Sequence, residues 1–410
     1  AWSGYVQHAF GHDQLRPLSR GHRDWYDVTL TMTPLDAYDT MLLMGLTDEA
    51  EAAKRLVLDS LSFDRDLTVQ VFEITIRLLG GLLTAYQLDG DPRFLSLAAD
   101  LGDRLLPAFD SPTGMPYVRV NLRTGETERS VNHPAEIGTL MLEFGTLSKL
   151  TGDPGYYDTA KRAIAELYRR RSSIGLVGTT IDVETGDWQN TASHVSGMID
   201  SYYEYLLKAW LLFDDPEFRV MWDSSIIAVH GYLADERPNG LWYGHADMHT
   251  GERTATRFGA LDAFLPAVLA LGGDRDRAER LMTSVYSMWT EFGVEPEQLD
   301  YATMRVVSPQ YVLRPEAIES AYYLWKSTGD ARYLEMGRTM FEAIVRCCRV
   351  DAGYAALESV LSMQHADAME SFFLAETLKY AYLLFAPDST LPFGSVVFNT
   401  EAHPIAKTWQ

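Results

Sequence analysis

A short punctuation returns along this chain at nearly constant spacing, and it constrains the fold more than any single motif. A Gly-Asp or Asp-Asp pair, often followed by Pro and an aromatic, recurs at "GDPRF" (Asp91), "GDPGYY" (Asp153), "DDPEF" (Asp215), "GDRDR" (Asp274) and "GDARY" (Asp330), at intervals of about 56–62 residues. Each reads as a helix stop followed by Asp as N-cap of the next helix, with Pro suited to its first turn. Asp48 of "GLTDEAE" and Asp388 of "FAPDST" read as the first and last members, so about seven helix–turn–helix units are expected. A second punctuation interleaves with the first: "NLRTGETE", "DVETGDWQ" and "DMHTGERT" place Gly125, Gly186 and Gly251 in tight turns of β-hairpins, about 61–65 residues apart.

A period of about 60 residues with paired helices implies an array whose units bury their apolar faces on one another. The stretches "TVQVFEITIRLLGGLLTAYQL" and "SGMIDSYYEYLLKAWLLF" are apolar almost all round, which suits helices of an inner layer. One inner and one outer helix per unit, without polar capping repeats, favour a closed α/α barrel over an open solenoid. A single domain over residues 1–410 is expected.

Composition narrows the function. The chain has 410 residues, a formal charge of −22, 47% apolar and 12% aromatic residues. That is ample for a large core, and the acidic balance opposes binding to nucleic acid or anionic membrane, which need Lys and Arg to displace counterions. No charge-free apolar run reaches the length of about 18 residues that a membrane span needs, so none is expected. The only cysteines, Cys347 and Cys348, are adjacent, which disfavours a disulfide, and no Cys/His cluster suits zinc. No GxGxxG, P-loop, HExxH or GxSxG occurs.

The acids carry the functional signal. Asp36, Glu73, Glu136, Asp200, Asp262, Glu316 and Glu370 each precede the next turn by roughly 12–18 residues, a scatter of about 9 Å of helix axis at a rise of about 1.5 Å per residue. In a barrel these acids converge as a ring at the hairpin end. A lone acid in a first helical turn is ordinarily only a dipole partner. Seven in register inside apolar runs are costly unless paired or used. Crowded carboxylates suit glycoside hydrolysis, which needs an acid and a base across the scissile bond, or binding of a hard cation. Phe372, Phe373, Trp242 and Tyr243 are candidates to stack on sugars or, as lone residues, to fill the core. His133, His194, His245 and His403 read as hydrogen-bonding groups rather than metal ligands.

Eight ordered segments, "AWSGYVQHAFGHDQLRP", "DAYDTMLLMGL", "FEITIRLLGGLLTAY", "HPAEIGTLMLEF", "DSYYEYLLK", "LRPEAIES", "ESFFLAETLKYAYLLF" and "FNTEAHP", resemble the class I α-mannosidases, glycoside hydrolase family 47. The resemblance implies an all-α (α/α)7 barrel with β-hairpins at one end and a C-terminal hairpin, "GSVVFNTEAHP", plugging it. It implies Ca²⁺-dependent, inverting hydrolysis of terminal α-1,2-linked mannose from oligosaccharides. Glu73 would be the general acid, Glu316 the general base and Asp200 the third catalytic carboxylate. Thr400 would ligate calcium, while Arg77, Glu136, Arg314, Glu319, Phe372, Glu376 and Glu401 would hold sugar or the ion's waters.

Three departures bear on substrate range. The disulfide of eukaryotic members cannot be reproduced by Cys347 and Cys348. "GALDAFLPAVLALG" replaces a "HLxCFLPG"-like stretch and is closer to the ER-degradation-enhancing members, and Met198 stands where branch-restricted members carry Arg. The absence of any Asn-x-Ser/Thr site, the short loops and the missing disulfide lead us to expect a bacterial member. We expect it to be monomeric and secreted or periplasmic, with any signal peptide already removed. The alternative from another class is a mannose-binding, lectin-like relative with little or no hydrolysis.

Overall fold

The computed structural model describes residues 1–409. Five of the predicted stops are helix N-caps. The carboxylates of Asp91, Asp153, Asp215, Asp274 and Asp330 accept the backbone N–H of Arg93, Gly155, Glu217, Arg277 and Arg332 at 2.8–3.3 Å. Pro occupies the first turn at three of them, where its missing N–H costs nothing. Asp48 lies inside the first turn of Thr47–Ser60 rather than before it. Asp388 caps no helix: the chain beyond Leu378–Phe385 turns and enters the strand Val396–Phe398.

The helices come in pairs of unlike character. In Met141–Thr151, every residue from Met141 to Ser148 is buried, whereas its partner Pro154–Arg169 buries one face. Pro92–Leu105 buries Phe94, Ala98, Leu101 and Leu105 at helical spacing, and Ala331–Cys348 buries Tyr333, Gly337, Met340, Ile344 and Cys348 likewise. This is the inner and outer character read from the sequence. The run Val71–Asp89 is long and apolar enough to cross a membrane by length and composition, but 72% of its apolar window is buried within the protein.

Compactness divides the chain into two units of interleaved sequence. One comprises Ser60–Ala234, Gly244–Thr254 and Gly394–Gln410; the other comprises Ala1–Asp59, Asp235–Tyr243 and Ala255–Phe393. In the first, the three hairpins predicted at Gly125, Gly186 and Gly251 are built on the same turn. Asn121, Asp182 and Asp247 accept backbone N–H groups two residues on through their side chains, and their carbonyls accept the N–H of Gly125, Gly186 and Gly251. Those glycines have φ of 73°, 78° and 71°, where a Cβ is disfavoured. A third strand joins each hairpin: Thr68–Gln70 pairs with Arg119–Asn121, Val131–Asn132 with Thr180–Asp182, and Ala192–Ser193 with His245–Asp247. The residues Thr68–Gln70, read from the sequence as the start of a helix, are therefore a strand that leads into it.

The C-terminal hairpin forms as expected, Val396–Phe398 pairing antiparallel with Pro404–Ala406. Its tip lies so close to the helix Gly80–Asp89 that a Cβ on Gly80 would sit 2.7 Å from Asn399 Nδ2 and 3.1 Å from His403 Cδ2.

In the second unit, Arg257–Gly259, Gln298–Asp300 and Arg305–Ser308 form the corresponding three-stranded sheet. Trp242 is fully buried and stacks on Tyr301, 5.4 Å between centroids at 2°, and Tyr243 is 1% exposed. Both belong to the core, as does Phe373. They are not available to stack on a sugar.

The "DDPEF" turn separates two effects. Asp214 ends its helix at φ 56°, in the position that other pairs give to glycine, while Asp215 caps the next helix and also accepts Tyr157 Oη and Lys161 Nζ. Asp214→Gly should stabilise by up to about 1 kcal/mol, because relief of the left-handed strain outweighs an exposed ion pair to Lys407. Asp215→Ala should destabilise by about 1–2 kcal/mol. Denaturant titration of both variants checks the opposite signs.

Candidate active site

Each strand that completes a hairpin sheet leads, directly or through a short turn, into an inner helix, and the predicted acids sit at those junctions. Glu73 follows Thr68–Gln70 by three residues, Glu136 follows Val131–Asn132 by four, and Asp200 opens the helix Asp200–Phe213 after Ala192–Ser193. Gln70 Nε2 donates to Glu136 Oε1, and Asp200 Oδ1 accepts the N–H of Ser201 at 2.9 Å. Just before Asp200, Met198 holds φ at 77° with its side chain 40% exposed, and its carbonyl accepts the N–H of Ala135 at 2.9 Å.

Arg77 is the hub of the first unit. Its Nε donates to Glu73 Oε2 at 2.8 Å and its Nη1 to Glu401 Oε1, so one guanidinium serves two carboxylates that are far apart in the sequence. Arg77 lies in a π-helical turn, Thr75–Leu79, which interrupts the α-helical bonding. Asn399 Nδ2 donates to the Ile76 carbonyl in that turn at 2.9 Å and to Glu143 Oε1 at 2.8 Å, while Asn399 Oδ1 accepts the N–H groups of Glu401 and His403. The N–H of Thr400 donates to Tyr205 Oη at 3.2 Å, and Tyr205 Oη donates to Glu143 Oε1 at 2.6 Å. Thr400 is thus fixed by its backbone at the hairpin tip, next in the chain to the residue that pairs with Arg77.

In the second unit, Arg314 makes a two-pronged bond to Glu297, 2.6 Å from Nη2 and 3.2 Å from Nε, and its guanidinium stands 5.7 Å from the Phe372 ring centroid. Burial opposes the charge of Arg314, yet Glu316 and Glu297 beside it raise its pKa further. Glu316 opens the helix Glu316–Thr328. Burial pushes its carboxyl up to about 8, with Arg314 pulling the other way. Tyr380 Oη donates to Glu319 at 3.1 Å. Glu376 lies in a second π-helical turn, Phe373–Thr377, whose Ala375 carbonyl accepts the Thr40 hydroxyl. Leu313, just before Arg314, is held at φ 68° with its carbonyl bonded by Thr377 Oγ1.

Not every acid in the predicted register is spare. Asp262 accepts the N–H of Gly259 at 3.0 Å, Asp36 accepts the Ser371 hydroxyl, and Glu370 accepts from Gln14. Sequence reasoning missed Glu297, Glu143, Asn399 and Tyr205. Glu297 had a signal, since "GVEPEQLD" repeats the Pro-Glu pair of "LRPE"; the other three had none, because the partners they meet are distant in the sequence. Burial, followed by the neighbouring charge of His245, lowers the pKa of His194 to about 3, so it stays neutral.

Glu295 is also unforeseen. It is fully buried, neither carboxylate oxygen has a hydrogen-bond partner, and burial followed by Glu316 and Glu297 pushes its pKa well above the ordinary carboxylate range. A carboxyl whose folded pKa is raised stabilises fully below its unfolded value and loses that contribution as pH rises toward the folded value. Glu295→Met should therefore leave stability nearly unchanged near pH 4 and raise it by about 1–3 kcal/mol near pH 8. Urea unfolding at the two pH values checks the difference.

Similarity to known proteins is extensive. The model of glycosyl hydrolase family 47 matches residues 1–407. The chain is 39% identical to mouse ER degradation-enhancing alpha-mannosidase-like protein 2, over 99% of this chain and 75% of that protein. It is 37% identical to human mannosyl-oligosaccharide 1,2-alpha-mannosidase IB, over 99% and 68% respectively. Among solved structures, the alpha-1,2-mannosidase from Trichoderma reesei matches with a TM-score of 0.91 at 30% identity, covering 99% of this chain and 96% of that one. The likeness to an ER-degradation-enhancing protein agrees with the reading of residues 259–272, whereas these mammalian and fungal relatives do not bear out a bacterial origin. With nearly its whole length matched, the chain belongs to glycosyl hydrolase family 47.

Proposed function

We propose that this protein removes terminal α-1,2-linked mannose from oligosaccharides, with inversion and with dependence on Ca²⁺, as a single (α/α)7-barrel domain with the C-terminal hairpin as its plug. The observation that carries the proposal is the joining of Glu73, Arg77 and Glu401 beside Thr400. The resemblance assigns these four residues to one site, and they come from two segments at a wide remove in the sequence.

The donors near Thr400 suit a hard cation: its hydroxyl and carbonyl are oxygens, and Glu401 and Glu73 supply carboxylates nearby. Calcium held there by Thr400 would supply a hard Lewis acid for the hydroxyls of the sugar. In the reading we favour, Glu73 delivers a proton to the departing glycosidic oxygen and Arg77 fixes the direction of its carboxyl. Glu316 takes a proton from the attacking water, and the Arg314–Glu297 fork keeps a cation beside Glu316 that favours its ionised form. Asp200 acts with them as the third carboxylate. Glu136, Glu319, Phe372 and Glu376 contact sugar or the ion's waters. We place the enzyme, as a monomer, in an exported compartment where α-mannosides are met.

An NMR time course on α-1,2-linked mannobiose tests this. β-Mannose should appear first, chelator should stop its release, and calcium should restore it. Glu316→Gln should lower kcat at least about 10³-fold while calorimetric binding of the disaccharide persists. Binding without release by the unmodified protein would favour the lectin-like reading.

A further inference from the structure

Near its start the chain brings together two imidazoles and a carboxylate that the mannosidase chemistry does not use. His12 lies between the helix Trp2–Ala9 and the strand Gln14–Arg16; His22 is the middle residue of the paired strand Gly21–Arg23; Asp24 follows it. The two rings are stacked nearly parallel, 3.4 Å between centroids and 11° between planes. Asp24 Oδ2 is 2.9 Å from His12 Nδ1, and one donor atom from each residue lies within 4.8 Å of the others.

The scaffold beneath is stiff. Asp13 is fully buried and accepts backbone N–H groups of Trp25, Leu30 and Met32 and the hydroxyl of Thr29, tying both ends of the hairpin to one carboxylate. The backbone N–H of Asp13 in turn donates to Asp24 Oδ1 at 2.9 Å and so holds the carboxylate against the imidazole, with Oδ2 at 2.9 Å and Oδ1 at 3.2 Å from His12 Nδ1. The donors are part-exposed, with the His12 side chain at 36% and Asp24 at 21%, so an ion can reach them from solvent.

We propose that His12, His22 and Asp24 form a second metal site, separate in chemistry from the calcium site, that binds a borderline divalent ion of the Zn²⁺ type. Nitrogen donors disfavour calcium and favour zinc. Around tetrahedral zinc, with Zn–N of about 2.0–2.1 Å, neighbouring donors lie about 3.3 Å apart. The donor atoms, within 4.8 Å of one another, draw in to that separation when the exposed His22 ring turns out of its stack on His12, and the His12–Asp24 pair needs to open by only a few tenths of an ångström. The second Asp24 oxygen remains on the Asp13 N–H and orients the first, as outer hydrogen bonds orient metal-binding carboxylates. Water completes the coordination. The bound ion ties the strand Gly21–Arg23 to the residue before Asp13, and so reinforces the hairpin whose Gln14 reaches Glu370.

The test is calorimetric titration of Zn²⁺ into the full chain held in excess calcium. One equivalent should bind with a dissociation constant at or below about 10 μM, and the melting temperature should rise with zinc concentration. His22→Ala, which leaves the His12–Asp24 bond in place and removes only an exposed side chain, should weaken binding at least about 10-fold. His12→Ala should do the same, while each variant keeps the melting temperature of the zinc-free protein within about 3 °C. Absence of zinc binding up to about 1 mM, or binding unchanged in the His12→Ala, His22→Ala double variant, overturns the proposal.

Discussion

An ionised carboxylate cannot be taken out of water without a cation or donors to meet it, and this cost organises the interior of the protein. Lys379 meets Asp39 at 2.7 Å with both side chains essentially unexposed, and Lys208 meets Glu204 one helical turn away. Arg77 divides itself between Glu73 and Glu401, and Arg314 commits both prongs to Glu297. Where a carboxylate has no ion pair of its own, burial raises the carboxyl pKa, to about 7 at Glu143 and, against the pull of nearby Arg314, to about 8 at Glu316. Removing either arginine would strand more than one acid, so the charged groups of each unit behave as networks rather than as separable pairs.

The π-helical turns belong to the same account. A π turn loosens the backbone bonding of a helix and frees a carbonyl for another partner. Ile76 gives its carbonyl to Asn399, and Ala375 gives its own to Thr40. Arg77 and Glu376, both assigned to the site by resemblance, lie in these turns. The irregular backbone thus places functional side chains and also receives polar groups from elsewhere in the chain.

Much of this was legible from residues alone. The Asp N-caps, the glycine turns and the inner and outer character of the helices are local or periodic properties, and the caps hold at Asp91, Asp153, Asp215, Asp274 and Asp330. Asp388 failed because a punctuation motif needs a helix after it, and the chain there turns and extends into a strand instead. Thr68–Gln70 misled because a short apolar strand and the start of an apolar helix look alike until the pairing partner, Arg119–Asn121, is known. Within the first unit Arg77 pairs with both Glu73 and Glu401, and only the resemblance had grouped these distant residues in one site. The carboxylates of Glu143 and Glu295 were invisible for a common reason: burial among distant residues leaves no mark at a fixed spacing.

The C-terminal hairpin gives the site a particular history. Arg77 and Glu401 are separated by 324 residues, so their pairing closes a very long loop and carries that loop's entropy cost. The helix that carries Glu73 and Arg77 can pack against Pro92–Leu105 from local contacts well before Asn399 arrives at the Ile76 carbonyl. In the interval Arg77 has Glu73 as a neighbour one turn away but lacks its second carboxylate, and Glu143 lacks its bond from Asn399. Secondary structure and much of the packing therefore do not depend on the contact that completes the proposed site. A chain folded everywhere except at this hairpin would be nearly indistinguishable by helix content, yet its proposed cation site would not exist.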